Sequence, residues 1–306
     1  MIKLKRAKEN PILSPTNYPW EDKLVFNPGV VKYKDKIRLL YRAMGTKDEI
    51  SRIGIANSDD GIHFVRDQYP MYYGGDHPSE ILGIEDIRAV QMGDTYYLTY
   101  AAVSPRKLGS FDLNATGSID RKPQIALSTT MDFVTFMDYD VIIPETEGKD
   151  ASFFPEQIND EYILLYREGS DKTFIADSTK VNYWPQRFFL FDKRPGFWDC
   201  KRTGIGSPPI KTDKGWLLFY HGIDDKDVYR LGVIFLDLTD PRIILYRSPE
   251  PIFEPEAPYE KFGYVSNVVF TCGAIEKDNK YFVYYGAGDE VIGLATIDKK
   301  EILSLF

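Results

Sequence analysis

The chain has 306 residues, 43% hydrophobic and 14% aromatic, with a formal net charge of -8. That is ample apolar surface for a core, and the acidic balance excludes the basic footprint of a nucleic-acid groove. No run approaches the ~20 apolar residues of a membrane-spanning helix. The opening MIKLKRAKENPILSP lacks the apolar stretch of a signal sequence, so no membrane role and a cytoplasmic setting are expected. The only cysteines, Cys200 and Cys272, make no disulfide framework and are expected to be reduced.

In chain order, one pattern recurs five times. FNPGVVKYKDKIRLLYRA (26–43) is an apolar strand, a polar turn and a second strand rich in apolar and aromatic residues. IEDIRAVQMGDTYYLTYAA (84–102), KDASFFPEQINDEYILLYRE (149–168), GIGSPPIKTDKGWLLFYHG (204–222) and SNVVFTCGAIEKDNKYFVYYGAG (266–288) repeat it. The anchors lie near Asn27, Asp86, Asp150, Gly206 and Asn267. Weaker strands follow each pair, among them SRIGIANSDDGIHFVRD, PQIALSTTMDFVTFMD, KTFIADSTKVNYWPQ and YRLGVIFLDLTDPRIILYRS. A strand-built repeat of roughly sixty residues predicts an all-β fold, a five-bladed β-propeller with four-stranded antiparallel blades. All blades share one closure, so residues 1–306 are expected to form a single domain. The head, KLKRAKENPILSP, is predicted to complete the last blade and remove its open edge. The tail KKEILSLF reads as a helical turn or an edge strand. LDLTDPR at 236–242 reads as a tight turn. The irregular stretch Ser104–Lys122 is a candidate lid over the axis, with a plain surface excursion as the alternative.

A propeller directs equivalent positions of every blade at one axis. First strands begin, and second strands end, at the same mouth. That register brings Asn27, Asp86, Lys149 and Asp150 together with Arg42, Arg167 and His221; Arg202 lies just before a strand and Asp289 just after one. Carboxylates beside neutral donors suit sugar hydroxyls, and glycosidic cleavage requires a proton for the departing oxygen. Lys149, Arg167, Arg202 and His221 form a basic set in an acidic protein, which suits an anion such as phosphate. Ion pairing that holds the blades together is the alternative for this set. Glu85 is expected to point away from the axis if Asp86 faces it, because successive strand side chains alternate. His63 is expected at the surface, and His77 lies on the loop before Asp86. With His221 in a third blade, no ligand-spaced pair exists and no metal site is predicted. Tyr97, Tyr100, Tyr220, Tyr284, Tyr285, Trp198 and Trp216 are expected mainly in the core.

The chain resembles glycoside hydrolase family 130. The resemblance is carried by GIEDIR (83–88), KDASFFPEQINDEYILLYR (149–167), RTGIGSPPIKTDKGWLLFYHG (202–222), LGVIFLDLTDPRIILYRSPEPIFEPE (231–256) and the segments at 264–295. The family's Glu-Asp-Pro-Arg appears here with Ile87 in place of the proline, which bears on local backbone geometry more than on chemistry. The resemblance implies inverting phosphorolysis of short β-mannosides to α-D-mannose 1-phosphate. It implies Asp86 as the general acid, acting in some members through a sugar hydroxyl. Asn27, Arg42 and Asp289 match mannose-holding positions; Lys149, Arg167 and Arg202, joined by His221, match phosphate-holding positions. Asp150, in register with Asp86, is a further candidate for sugar binding. An oligosaccharide and inorganic phosphate would be the partners, without a cofactor, and homo-oligomers occur in the family. The alternatives are an inverting β-mannosidase, a sugar-binding propeller without activity, and another glycosidase using Asp150 as its second carboxylate.

Overall fold

Short apolar runs punctuated by Gly, Asp and Asn turns build twenty-one strands among the described residues, nearly all of them paired with sequence neighbours. The computed structural model describes residues 2–48, 50–71, 77–106, 120–169 and 171–305. After β1 (Lys5–Arg6), the first blade runs β2 (Leu24–Tyr33), β3 (Lys36–Met44), β4 (Ser51–Ser58) and β5 (Val65–Arg66). The second is β6 (Ile84–Met92), β7 (Thr95–Pro105), β8 (Arg121–Thr130) and β9 (Phe136–Val141). The third is β10 (Gly148–Phe153), β11 (Tyr162–Glu168), β12 (Lys172–Ser178) and β13 (Gln186–Phe191).

The fourth blade has five strands rather than the expected four. Its inner strand is split into β14 (Arg202–Ile205) and β15 (Ile210–Thr212), and both pair with β16 (Gly215–Ile223). Pro208 and Pro209 fall in the break, where neither can donate to a ladder. β17 (Tyr229–Leu236) and β18 (Ile244–Arg247) complete this blade. The fifth blade is β19 (Val269–Lys277), β20 (Lys280–Ala287), β21 (Val291–Asp298) and, from the other end of the chain, β1. Lys5 lies opposite Thr296 and Arg6 opposite Ala295, so the N-terminal strand closes the ring as the sequence predicts. The tail forms a short helix, α1 (Lys299–Leu303), not an edge strand. At 236–242 the Asp237 carboxylate accepts the Thr239 and Asp240 N–H groups, a local Asx turn. Of the proposed lid, residues 107–119 lie outside the described residues.

The core is not at the axis but in five wedges between adjacent blades. Val31 and Leu40 pack with Ile84 and Leu98 between the first two blades. Leu127 packs with Phe153 in the next wedge, and Leu165 with Trp216 in the third. Phe219 meets Val283 in the fourth, and Leu39 meets Ile292 in the fifth, which returns to the first blade. Each buried Leu or Phe contributes about 1.5–3 kcal/mol relative to exposure, so the wedges are the main force closing the ring.

One buried position repeats in polar form. Tyr41, Tyr100, Tyr166, Tyr220 and Tyr285 each precede the last inward residue of a second strand, and all are at most 4% exposed. Four donate their hydroxyl to a buried carboxylate: Tyr41 to Glu21 (2.7 Å), Tyr100 to Glu80 (2.6 Å), Tyr220 to Asp199 (2.9 Å) and Tyr285 to Glu260 (2.8 Å). Arginines match three of these acids: Arg66 on Glu21, Arg247 on Asp199 and Arg6 on Glu260. Arg6 comes from β1, so the same device ties down the closing strand. Tyr100, Tyr220 and Tyr285 are core residues, as expected, and with Tyr41 they are also the hydrogen-bonded pins of their blades; the Tyr166 hydroxyl is buried without a partner among the described residues.

Candidate active site

Asn27, Asp86 and Asp150 share an unusual backbone, with φ of 46°, 56° and 54°. Short Asx side chains are the non-glycine residues that most readily tolerate this left-handed region. Each marks a break in strand pairing. Glu85 pairs with Ala101, but the next pair is Arg88 with Thr99, leaving two residues on β6 opposite one on β7. The same shift occurs after Phe26 and after Lys149. These are β-bulges, which re-aim side chains at strand ends. The first three repeat anchors are Asn or Asp because the bulge needs a residue that can turn left-handed and still carry a polar group.

The bulge overturns one expectation. Glu85 does not point away from the site. Its Oε1 accepts from Arg42 Nη2 at 2.7 Å, its Oε2 accepts from Lys149 Nζ at 2.7 Å, and Arg121 stands 3.5 Å from Oε1. Strand alternation fails here because the register itself shifts between Glu85 and Arg88. Burial by itself would raise the Glu85 carboxyl, but Arg42 and Lys149 outweigh it and hold it down at about 2.

The register of the last two blades also differs from the sequence reading. Gly204 lies opposite His221 and Ile205 opposite Tyr220, so Ile205 rather than Gly206 is the counterpart of Asp86. In the fifth blade Thr271 lies opposite Tyr285, which leaves Asn267 in the turn before β19. There its carbonyl accepts the Tyr229 N–H at 3.0 Å.

At the mouth of the ring is a cavity of about 380 Å³. Asp86, Asn27, Arg42 and Asp289 line one part; Lys149, Asp150, Arg167, Arg202 and His221 also line it. All nine candidates from the sequence therefore meet in one cavity, from five blades. Asp86 Oδ1 accepts from Asn27 Nδ2 at 2.8 Å and from Arg42 Nη1 at 3.3 Å. Asp86 is 7% exposed. Asn27 Oδ1 is buried without a partner among the described residues.

The cations differ in how far they are committed. Arg167 donates from Nε to Asp150 Oδ2 at 2.6 Å and from Nη1 to the Gly169 carbonyl at 2.8 Å. Arg88, 1% exposed, also bonds Asp150, and it reaches the carbonyls of Asp86, Ile205 and Gly206 as well. This one guanidinium thus links the second, third and fourth blades beneath the cavity. Lys149 is held by Glu85. The Arg202 guanidinium has no hydrogen-bond or ion-pair partner among the described residues.

His221 enters as a neutral ring. Burial is the largest cause; Asp150 opposes it, but Arg167, Arg88 and Arg202 add to it, and the imidazole is pushed down to about 3. Its Nε2 lies 3.6 Å from Asp150 Oδ2, while Nδ1 is buried without a partner among the described residues. It therefore offers a hydrogen bond and no charge. Gly204 makes this approach possible: a Cβ there would meet Asp150 Oδ2 at 2.5 Å and His221 Cε1 at 2.6 Å. Asp150 itself, 3% exposed, is depressed because Arg167 and Arg88 overcome its burial. A carboxylate so bound is a poor proton acceptor, which weighs against Asp150 as a second catalytic carboxylate.

Asp289 is shifted the other way. Burial, joined by Asp86 and Glu85, outweighs Arg42 and raises its carboxyl to about 6. Between the ordinary Asp value near 3.9 and about 6, the folded state binds more protons than the unfolded chain, so stability falls as pH rises through that window. Asp289→Asn is accordingly expected to raise the melting temperature at pH 8 and to bring no gain at pH 4. Equal melting temperatures at pH 8 would contradict this.

Seven cavity-lining residues escaped the sequence reading, among them the carboxylate Glu147 and the two rings Tyr229 and Phe270. Tyr229 starts a third strand, a position the repeat comparison did not treat as inward, and Phe270 lies on an inner strand but is apolar. Their rings flank His221, at centroid distances of 6.3 Å and 4.6 Å. His77 is not at the cavity; it stands 3.9 Å from Asp140 on β9, and His63 is exposed beside Asp60.

A closed ring of five sheets, with an acid beside sugar-type donors and converging cations at one mouth, defines a carbohydrate-active β-propeller. The chain belongs to glycoside hydrolase family 130, whose sequence model, described as beta-1,4-mannooligosaccharide phosphorylase, matches residues 3–306. It is 39% identical over 309 residues to a 1,2-beta-oligomannan phosphorylase of Thermoanaerobacter sp. (strain X514), covering 99% of both chains. It is 38% identical over 315 residues to a beta-1,2-mannobiose phosphorylase of the same organism, again covering 99% of each. Its fold is similar to that of a beta-1,2-mannobiose phosphorylase from Listeria innocua in complex with beta-1,2-mannobiose. The TM-score is 0.87 at 31% identity, over 99% of each chain.

Proposed function

We propose that the protein is an inverting phosphorylase of short β-1,2-mannosides. It converts a mannobiose or short oligomannoside and inorganic phosphate into α-D-mannose 1-phosphate and the shortened sugar. The linkage follows the three relatives above, each named for a 1,2 substrate, rather than the family description. The observation that carries the reading is Arg202: a guanidinium without a partner among the described residues, lining the same cavity as Arg167, Lys149 and the acid Asp86. A charge with no counter-ion at a cavity wall is a site for an anion from solution.

The chemistry follows from that arrangement. Asn27, Arg42 and Asp289 hold the mannose whose bond is cut. Asp86 gives its proton to the departing oxygen, directly or through a sugar hydroxyl. Phosphate, held by Arg202, Arg167 and Lys149 with a hydrogen bond from His221, attacks the anomeric carbon from the opposite face. The glycosidic C–O bond breaks as the new C–O bond to phosphate forms, so configuration inverts. Phosphate arrives as a nucleophile, and no protein base is required to activate water. Fixed cations stabilise the charge without reorganisation at the moment of reaction. We assign Asp150 to holding Arg167 and Arg88, not to the sugar, because its oxygens are committed to them. Both cysteines are free and the product is a charged sugar phosphate, which suits a cytoplasmic enzyme.

Incubation with β-1,2- and β-1,4-mannobiose, with and without phosphate, tests this reading. Consumption of the 1,2 substrate only with phosphate, yielding α-mannose 1-phosphate, is expected. Release of free mannose at equal rate without phosphate would make the protein a mannosidase instead.

A further inference from the structure

We propose that Glu85 is a positioning residue that acts as the resident counter-ion of the phosphate site, limiting how tightly phosphate and the sugar phosphate are held. This rests on the phosphorylase reading above. Glu85 is 4% exposed, yet it binds one cation from each half of the cavity: Arg42 on the sugar side and Lys149 on the phosphate side. Arg42 in turn reaches Asp86 with its other terminal nitrogen, so Glu85 also fixes the neighbour of the acid.

The charges at the site are matched in a telling way. Arg42 and Lys149 face Asp86 and Glu85, with the half-exposed Arg121 a third cation 3.5 Å from Glu85. Arg88 and Arg167 share the single carboxylate of Asp150. Arg202 has no partner among the described residues. Among the described residues Lys149 has one ion-pair partner, Glu85, and an ammonium carries three donors, so it can turn toward an arriving anion while keeping that bond. Glu85 does not itself line the cavity but lies behind Arg42 and Lys149, which do, and from there its buried charge opposes the phosphate through a low-dielectric interior where like charges repel strongly. Held near 2 by its partners, the carboxyl is ionised throughout the neutral range. A site with every cation free would bind phosphate tightly and release mannose 1-phosphate slowly. Glu85 spends some of that attraction to keep turnover possible.

The test is Glu85→Gln, which keeps the shape and an acceptor for Lys149 but removes the charge. The KM for phosphate is expected to fall about tenfold, and inhibition by mannose 1-phosphate to strengthen by a similar factor. A purely structural Glu85 predicts the reverse sign, a raised KM for phosphate with a lowered melting temperature. An unchanged or raised KM in a folded variant overturns the inference. Should the Gln variant not fold, Glu85→Asp keeps a charge but withdraws it from Lys149 by one methylene. A smaller tightening of phosphate supports the inference, and none overturns it. If the wild-type protein cleaves mannosides without phosphate, the phosphorylase reading fails and this inference falls with it. If wild type depends on phosphate and the variants bind it no more tightly, only the inference about Glu85 fails.

Discussion

Asp86→Asn is expected to lower turnover of a β-mannoside by about a thousandfold while leaving the ring intact, since positioned proton transfer contributes about 10²–10⁴. The substitution preserves size and lets the amide oxygen keep accepting from Asn27 Nδ2 and Arg42 Nη1. It removes the acidic proton and the charge that pairs with Arg42. Asn also tolerates the φ of 56° that the bulge imposes, so no backbone strain accompanies the change. Alanine would be a poorer choice, because a residue with a bare Cβ pays more for that conformation. Substrate binding should persist, with the mannoside KM changed by less than the turnover. A leaving group that needs no protonation should recover much of the lost rate, which separates loss of the acid from loss of geometry. Turnover within tenfold of wild type on the natural sugar would remove Asp86 from its role.

Arg202→Met is expected to raise the KM for phosphate about a hundredfold, with little change in the affinity for the sugar. A hydrogen bond to a charged group is worth about 1.5–3 kcal/mol, and a desolvated ion contact adds to it. Arg202 is the informative cation because no side chain among the described residues bonds its guanidinium. Its removal leaves no carboxylate of the described residues without a partner, so stability should hold. Arg167→Met differs: it deprives buried Asp150 of its shorter ion pair at 2.6 Å and leaves Arg88 to compensate alone. That variant should lose phosphate affinity and stability together, because breaking a buried pair costs about 3–5 kcal/mol. A phosphate KM for Arg202→Met equal to wild type would show that the anion lies elsewhere.

The fold was legible because its information is local and repeated. Each hairpin announces itself by alternation and a turn, and five such hairpins leave few architectures. The closing strand was legible for a related reason: a ring with one blade short of a strand must take it from the other terminus. The nine site candidates were legible because an axial fold converts equivalent positions into neighbours. What alternation could not reveal was the bulge. Glu85 reads as outward on a regular strand, and only the left-handed Asp86 beside it returns Glu85 to the site. The signal was present in retrospect, since Asn27, Asp86 and Asp150 are the residue types that adopt such a backbone. The same irregularity explains the misplaced anchors: Gly206 is off by one and Asn267 by four, because the last two blades begin their inner strands differently. Tyr229 was hidden because it opens a third strand, and Arg88 because its partners lie in three different blades. The shared protection of Asp150 by Arg88 and Arg167 depends on side-chain packing that no repeat pattern encodes.

The most direct measurement is a structure of the protein with phosphate and β-1,2-mannobiose bound. The account predicts phosphate oxygens on Arg202 and Arg167, with the anomeric carbon between the anion and the Asp86 carboxyl. A phosphate bound away from Arg202, or a sugar whose glycosidic oxygen lies beyond reach of Asp86 even through one hydroxyl, would contradict it.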